Sequence, residues 1–436
     1  MGIKERDMDK KGWIVTLAGM GMNLSLGILY AWSIFGKQLT EAVDRGGFGW
    51  SKTEATLPYT IAIACFAAMM VPAGRLQDRF GPRIVASAGA VLTGTGLIVS
   101  SFGTPGNILP AIIGFGAMAG TGIGLGYASA MPAAVKWFPP QKKGLITGIV
   151  VAGFGLAPVY IAPLSKYLLS TYGISNSFMM LGVAFMITST FFAQMIKNPP
   201  VIQSAPQNAG SKSTPKPAAE YTWREMIKTP AFYSLYVQYA CAATAGLMII
   251  GHLAKIVAVQ SGNTITIGFF FVALLALFNA GGRIVAGILS DYIGRIITIT
   301  LVCIMQAMIM FFFPQFSTVT AFVIGSAFVG FNYGACLALF PATTADYWGT
   351  KNLGLNYGIL FTSWGLGGVF GPVLAGKIAD ATGAYTMAYY IAAGLLLFAA
   401  FLGMIAYINI SVNISGNEIV IKVRKAPGGK KFGNAA

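Results

Sequence analysis

One arginine lies deep in an apolar stretch, Leu277-Phe278-Asn279-Ala280-Gly281-Gly282-Arg283-Ile284-Val285. A guanidinium keeps its charge and presents a planar fork that suits a carboxylate. Asn279 stands four residues earlier, so on a helix the two side chains share a face. With no acidic residue nearby in sequence, an anionic ligand is the natural counter-ion. The structural alternatives are snorkelling over about 9 Å to the nearer helix end or satisfaction by a carbonyl of the tenth or eleventh helix. His252 is the only histidine. An imidazole can gain or lose a proton near physiological pH, so this residue type could bind a proton or donate to a bound anion. A lone histidine in an apolar helix is also an ordinary packing residue. Lys255, one turn further on, could line an entrance or reach to a polar interface. Tyr30, Tyr127, Tyr333, Tyr357, Phe361 and Trp364 are candidate pocket walls, because phenols donate hydrogen bonds while the rings exclude water. Packing and interfacial anchoring are their alternative roles.

The rest of the chain is short of chemistry. Gly114, Gly116, Gly120, Gly122, Gly124 and Gly126 resemble a phosphate loop only superficially: no strand precedes them and the context is apolar. Close helix packing is the better account. Gly153, Gly155, Pro158 and Pro163, and Gly365, Gly367, Gly368, Gly371 and Pro372, mark two bendable, tightly packed segments. No metal cluster, nucleophile motif or nucleotide motif is visible, so neither catalysis nor a cofactor is expected. Cys65, Cys241, Cys303 and Cys336 all fall in apolar runs and read as small packing residues.

The elements that must hold Arg283 follow from composition. Of 436 residues, 56% are apolar or aromatic and 10% are charged, against about 25% charged in a soluble domain. Continuous apolar runs of about 20 residues are the length of a membrane-crossing helix and lack the period-two alternation of a barrel. Twelve are expected, over 13–35, 53–76, 83–102, 107–132, 145–168, 174–196, 230–256, 265–288, 296–316, 319–344, 354–378 and 385–409. The net charge of +16 sits between these spans, which makes it a topology signal and not a nucleic-acid patch. One set of loops holds 22 of the 29 Lys and Arg residues and the opposite set five, with Lys255 and Arg283 inside spans. The heavy side is expected to be cytoplasmic, with both termini. Residues 197–228, rich in Pro, Gly and Ser, read as a cytoplasmic linker between a six-helix bundle at 1–196 and another at 229–409. A basic tail follows at 410–436. Its Asn409-Ile410-Ser411 and Asn413-Ile414-Ser415 match the glycosylation pattern but fall on the cytoplasmic side. An all-α membrane protein of two pseudo-symmetric bundles, in the cell (inner) membrane and monomeric, is the expectation.

The two halves repeat. Gly74-Arg75-Leu76-Gln77-Asp78-Arg79-Phe80-Gly81 aligns with Gly287-Ile288-Leu289-Ser290-Asp291-Tyr292-Ile293-Gly294, with an Asp-to-Asp offset of 213. Residues 144–156 align with 354–366 at offset 210, and Pro132 with Pro341 at 209. Parallel six-span repeats are a transporter architecture, with the substrate site between them near the midplane. The paired G-x-L-x-D-x-x-G motifs resemble the loop signature of the major facilitator superfamily, over the whole chain. That resemblance implies that Asp78 and Asp291 are gate residues, with Arg79, Arg83 and Arg295 as candidate partners. Helix capping and positive-inside charge are the plainer roles.

Trp13, Tyr30-Ala31-Trp32-Ser33-Ile34-Phe35, Lys136-Trp137-Phe138-Pro139 and Phe340-Pro341-Ala342-Thr343-Thr344-Ala345-Asp346 are similar to the bacterial oxalate/formate antiporter group and its monocarboxylate-transporter relatives. The resemblance implies secondary transport with Arg283 binding a carboxylate, and it favours Tyr127 and Tyr333 in the pocket. Three departures matter, one of them Trp32, where the animal lactate carriers have a lysine. The oxalate carriers have a lysine where this chain has Trp364, and the animal monocarboxylate carriers an aspartate where it has Asn279. A lone Arg283 matches one negative charge better than two. The expectation is alternating-access transport of a small monocarboxylate such as L-lactate, coupled to protons through His252 or Arg283. The alternatives are an oxalate/formate-type anion antiporter and a non-transporting sensor on the same fold. A drug–proton antiporter would want a buried carboxylate, and a sugar carrier more polar groups in the spans.

Overall fold

A computed structural model describes residues 3–200, 220–265 and 267–407. Among these, eleven helices are long and apolar enough to cross a membrane, and one of them is double. That helix, Lys143–Met195, breaks at Gly173, whose φ of 76° is the left-handed backbone a glycine adopts without penalty. Splitting it there gives twelve spans, in the order expected. Span 1 is Ile3–Leu26, continued through a tight 3-10 turn Gly27–Ala31 into Trp32–Thr40. Spans 2 and 3 are Lys52–Phe80 and Pro82–Ser100. Span 4 runs from Leu109 to Val135 through a wider π-helical segment, Ile112–Ala119. The two parts of Lys143–Met195 are spans 5 and 6. Spans 7 to 12 are Pro230–Gln260, Gly268–Ile293, Arg295–Phe312, Val319–Trp348, Leu353–Thr382 and Thr386–Tyr407. Residues 201–219 of the expected linker, and the expected tail, lie outside the described residues.

Several helices overrun their apolar stretches. Span 2 continues to Phe80 and span 8 to Ile293, about a turn past the expected ends. Apolarity stops at the hydrocarbon boundary, but backbone hydrogen bonding does not. The extra turn carries Asp78 and Asp291 at helix ends instead of in loops. The connections there shrink to one glycine each, Gly81 (φ 87°) and Gly294 (φ 99°). Both are the last glycine of the repeated motif, so the motif encodes a helix-to-helix turn closed by a left-handed residue.

The exterior carries large exposed apolar side chains, among them Ile84, Ile187, Phe191, Phe398 and Phe401. Such a surface suits lipid as the surrounding solvent. Polar groups are drawn inside, and the Asn23 amide donates from span 1 to the Val150 carbonyl of span 5 at 2.9 Å.

The halves meet most closely near the end that bears the linker. A Cβ at Gly74 would overlap the Gly354 carbonyl, and one at Gly144 the Gly287 carbonyl. One turn inward, Gly358 lies on the Met70 carbonyl and Gly148 on the Arg283 carbonyl. These contacts are repeat mates: 74 with 287, 70 with 283, 354 with 144, 358 with 148. Spans 2 and 11 therefore touch as spans 8 and 5 do. Further from this end, Val159 of span 5 and Leu277 of span 8 are exposed. Gly74→Val should overpack this contact and cost about 2 kcal/mol, read as a lower unfolding temperature in detergent. Gly394→Ala, where an added Cβ meets nothing within 4 Å, should leave that temperature unchanged or raised.

Candidate functional site

Arg283 is fully buried in span 8, facing the first half. Its Nε donates to Asn279 Oδ1 at 2.9 Å, the helix-face pairing expected from their spacing. Nη1 donates across the halves to the Val151 carbonyl of span 5. Nη2 has no hydrogen-bond partner. Gly155 makes room for the fork, because a Cβ there would stand 3.2 Å from the guanidinium carbon. Among the described residues no carboxylate forms an ion pair with Arg283.

A small cavity lies against this fork, walled by Tyr30, Phe66, Tyr127, Phe154, Leu337, Phe361 and Trp364. It leaves about 10 Å³, roughly the room for one water. The walls are interlocked rings. Phe361 and Trp364 stack at 4.7 Å, and Tyr127 meets Phe154 edge-on at 5.5 Å. Trp364 Nε1 donates to the Tyr333 hydroxyl at 2.9 Å, which fixes Tyr333 just behind the wall. Tyr357 packs on Phe361 at 5.6 Å, and its hydroxyl lies 3.4 Å from that of Tyr239. The site is therefore a cationic fork at one pole of an aromatic box, able to take an anion with a small apolar body once the box widens.

Five of the sequence candidates, Tyr30, Tyr127, Arg283, Phe361 and Trp364, line the cavity. Asn279, Tyr333 and Tyr357 form its second layer. His252 is not in the wall. Its Nε2 lies 3.0 Å from the Pro372 carbonyl of span 11, so that nitrogen carries the proton and donates, and its ring faces Tyr385 at 5.6 Å. Lys255 is exposed. Residue type alone does not distinguish Phe66, Phe154, Leu337 and Tyr239 from packing residues. Phe154 had one usable signal, since it is the repeat mate of Trp364 at offset 210.

At the linker end, each motif aspartate caps the start of a helix in the opposite half. Asp78 accepts from the Leu355 N–H at 3.0 Å, and Asp291 from the N–H groups of Gly144 and Leu145, both at 2.9 Å. A carboxylate at a helix N-terminus satisfies free donors and meets the positive end of the helix dipole. The partner of Asp78 is Lys136 at 3.6 Å and not either expected arginine. Arg79 lies over the Phe80 ring at 5.1 Å, and Arg83 donates to the Gln194 carbonyl of its own half. Those contacts engage both arginines, whereas the end of span 4 delivers Lys136 to Asp78. Arg295 does pair with Asp291, at 2.7 Å, and also with Asp346 at 2.7 Å. Lys143 of the first half completes the cluster on Asp346 at 3.1 Å, a link the sequence did not reveal.

The chain emerging from the linker docks on the same end. The Glu220 carboxylate accepts from the Thr350 and Lys351 N–H groups at 3.3 and 2.8 Å, and Asn352 and Asn356 donate to the Tyr221 carbonyl. A capping box follows, in which hydrogen bonds from Thr222 hold the Glu225 carboxyl below its usual range.

The family model of the Major Facilitator Superfamily matches residues 12–336 and 296–427. The chain is 29% identical over 366 residues to an uncharacterized MFS-type transporter, YhjX, of Escherichia coli, covering 82% of this chain and 86% of that protein. It is 27% identical over 379 residues to the oxalate:formate antiporter of Oxalobacter formigenes (85% and 86% covered). To monocarboxylate transporter 13 of Bos taurus it is 22% identical over 393 residues (88% and 87%). Among solved structures, the proton:xylose symporter XylE superposes with a TM-score of 0.69 at 13% identity, over 90% of this chain and 95% of that one. That likeness speaks to fold alone. The paired motifs, the twelve helices and the crossed aspartate caps thus have one common explanation: the chain is a multi-pass membrane protein belonging to the major facilitator superfamily of transporters.

Proposed function

We propose that this transporter carries a small monocarboxylate such as L-lactate, coupled to protons, by alternating access. The observation that carries the reading is that Arg283, with Nη2 unpartnered and no acidic partner among the described residues, lines an aromatic cavity. A buried cation left uncompensated costs several kcal/mol, so the site gains most from a ligand that brings one negative charge. Similarity to an oxalate:formate antiporter and to monocarboxylate transporters agrees with a carboxylate cargo. On the positive-inside count the linker end is cytoplasmic, in the cell membrane, and the described arrangement is closed on that side.

In this mechanism the carboxylate takes the free Nη2 and then competes with Val151 for the rest of the fork. Arg283 is held to the first half through that carbonyl, so a ligand replacing it loosens one tie between the halves. Spans 5 and 8, and spans 2 and 11, then separate at the linker end as the Asp78 and Asp291 caps release. The cavity closes on the other side, and the monomer completes the cycle. His252 and Arg283 are the proton-coupling candidates. His252 would act through its Pro372 bond between spans 7 and 11, away from the carboxylate.

Anion exchange is the second reading, favoured by the same lone charge: an empty site with an unpaired Arg283 resists reorientation, whereas a loaded one does not. Labelled L-lactate uptake into proteoliposomes, with an inward proton gradient and clamped potential, separates the two. Proton coupling predicts protonophore-sensitive accumulation. Exchange predicts rapid uptake only into vesicles preloaded with unlabelled monocarboxylate, and silence in both formats would sink the lactate reading. Arg283→Gln should reduce uptake at least about 100-fold, since a hydrogen-bonded buried charge pair is worth roughly 3–5 kcal/mol. Asp291→Asn should loosen the linker end more than Asp78→Asn does. Asp291 holds a helix N-terminus and an arginine at 2.7 Å, whereas Asp78, with its helix N-terminus and the Gln77 amide, has only a lysine 3.6 Å away as its cation. Thermal unfolding of the two purified variants should rank them in that order.

A further inference from the structure

The internal repeat gives Arg283 and Asn279 one first-half counterpart each. The Arg283 carbonyl lies against Gly148 as the Met70 carbonyl lies against Gly358, and one turn along the helix Asn279 is matched by Phe66. Where the second half supplies a cation and the amide that orients it, the first half therefore supplies a thioether and a phenyl ring. Both are buried, Met70 fully and Phe66 to within 2%. Phe66 is the hub of the cavity wall, with ring centroids 5.5 Å from Tyr127, 5.5 Å from Phe361, 5.8 Å from Trp364 and 6.0 Å from Phe154.

We propose that Phe66 and Met70 are specificity-determining residues. They turn a site whose symmetry would accommodate two cations into one with a single polar pole. A carboxylate seated on Arg283 must then point its remaining atoms at Phe66. A short apolar body is welcome there. A second ionised carboxylate is not, because on the side of Phe66 and Met70 it would meet hydrocarbon and no cation. Phe66 also limits length, since its ring closes the box to a body of a few carbons. This inference rests on Arg283 being the carboxylate seat.

The test is competition by unlabelled acids against labelled L-lactate on the purified full-length protein at pH 7, with Arg283→Gln as a control. For the natural sequence, propanoate should compete at least about 30-fold better than malonate, within the discrimination that an unmet buried polar group imposes. Phe66→Ala should raise competition by hexanoate relative to propanoate about tenfold, the scale set by methylenes in an apolar pocket. Met70→Arg should narrow or invert the propanoate–malonate ratio. If that variant does not fold, Phe66→Ala decides alone. Arg283-dependent lactate binding with malonate competing equally, or an unchanged hexanoate ratio in Phe66→Ala, overturns the inference while leaving the carboxylate seat standing. No Arg283-dependent binding of any of these acids overturns the seat itself and the inference with it.

Discussion

The structure is organised around a charge that the protein buries and does not neutralise. Arg283 sits between the halves at a depth where a carboxylate partner would be expected, and receives instead an amide oxygen and a backbone carbonyl. Two neutral acceptors keep the guanidinium oriented but leave it electrostatically hungry, because only an anion recovers most of the desolvation cost. The acidic groups that could have paired with it are committed elsewhere. Asp78, Asp291 and Asp346 are held in the contacts at the linker end. Charge is thus divided by role: carboxylates lock the halves at one end, and a lone cation waits in the middle.

The same residue joins the site to the motion proposed for it. The Arg283 backbone forms part of the closest approach between spans 8 and 5, and its side chain holds the next turn of span 5 through Val151. Ligand binding and the packing of the halves therefore compete for one side chain. The crossed caps add a second coupling. Each motif aspartate serves the first turn of a helix in the other half, so neither bundle satisfies its own helix ends when the linker end opens. The docking of Glu220 and Tyr221 beside Leu355 places the end of the linker on the very turn that Asp78 caps.

Much of this was legible in the sequence because it is one-dimensional information. Apolar runs of membrane length gave the spans. The paired motif marked where helices 2 and 3, and 8 and 9, connect, and an arginine in a charge-free helix announced itself. What was not legible depends on which face of a helix meets which neighbour. Arg79 and Arg83 are nearer to Asp78 in sequence than Lys136 is, yet the end of span 4 brings Lys136 to it. His252 was a reasonable site candidate by residue type, but the Pro372 carbonyl engages it away from the cavity wall. Phe66 is one phenylalanine among thirty in the chain. Only the repeat register, which sets it opposite Asn279, distinguishes it from a residue packed for bulk.

The central claim is that the free nitrogen of Arg283 is the seat of a carboxylate, and a structure of the purified protein with bound L-lactate tests it most directly. The account predicts carboxylate density about 3 Å from Arg283 Nη2, with the methyl group toward Phe66 and the aromatic box widened to hold it. Lactate bound elsewhere, with Arg283 turned to a protein acceptor at its third nitrogen, would contradict it.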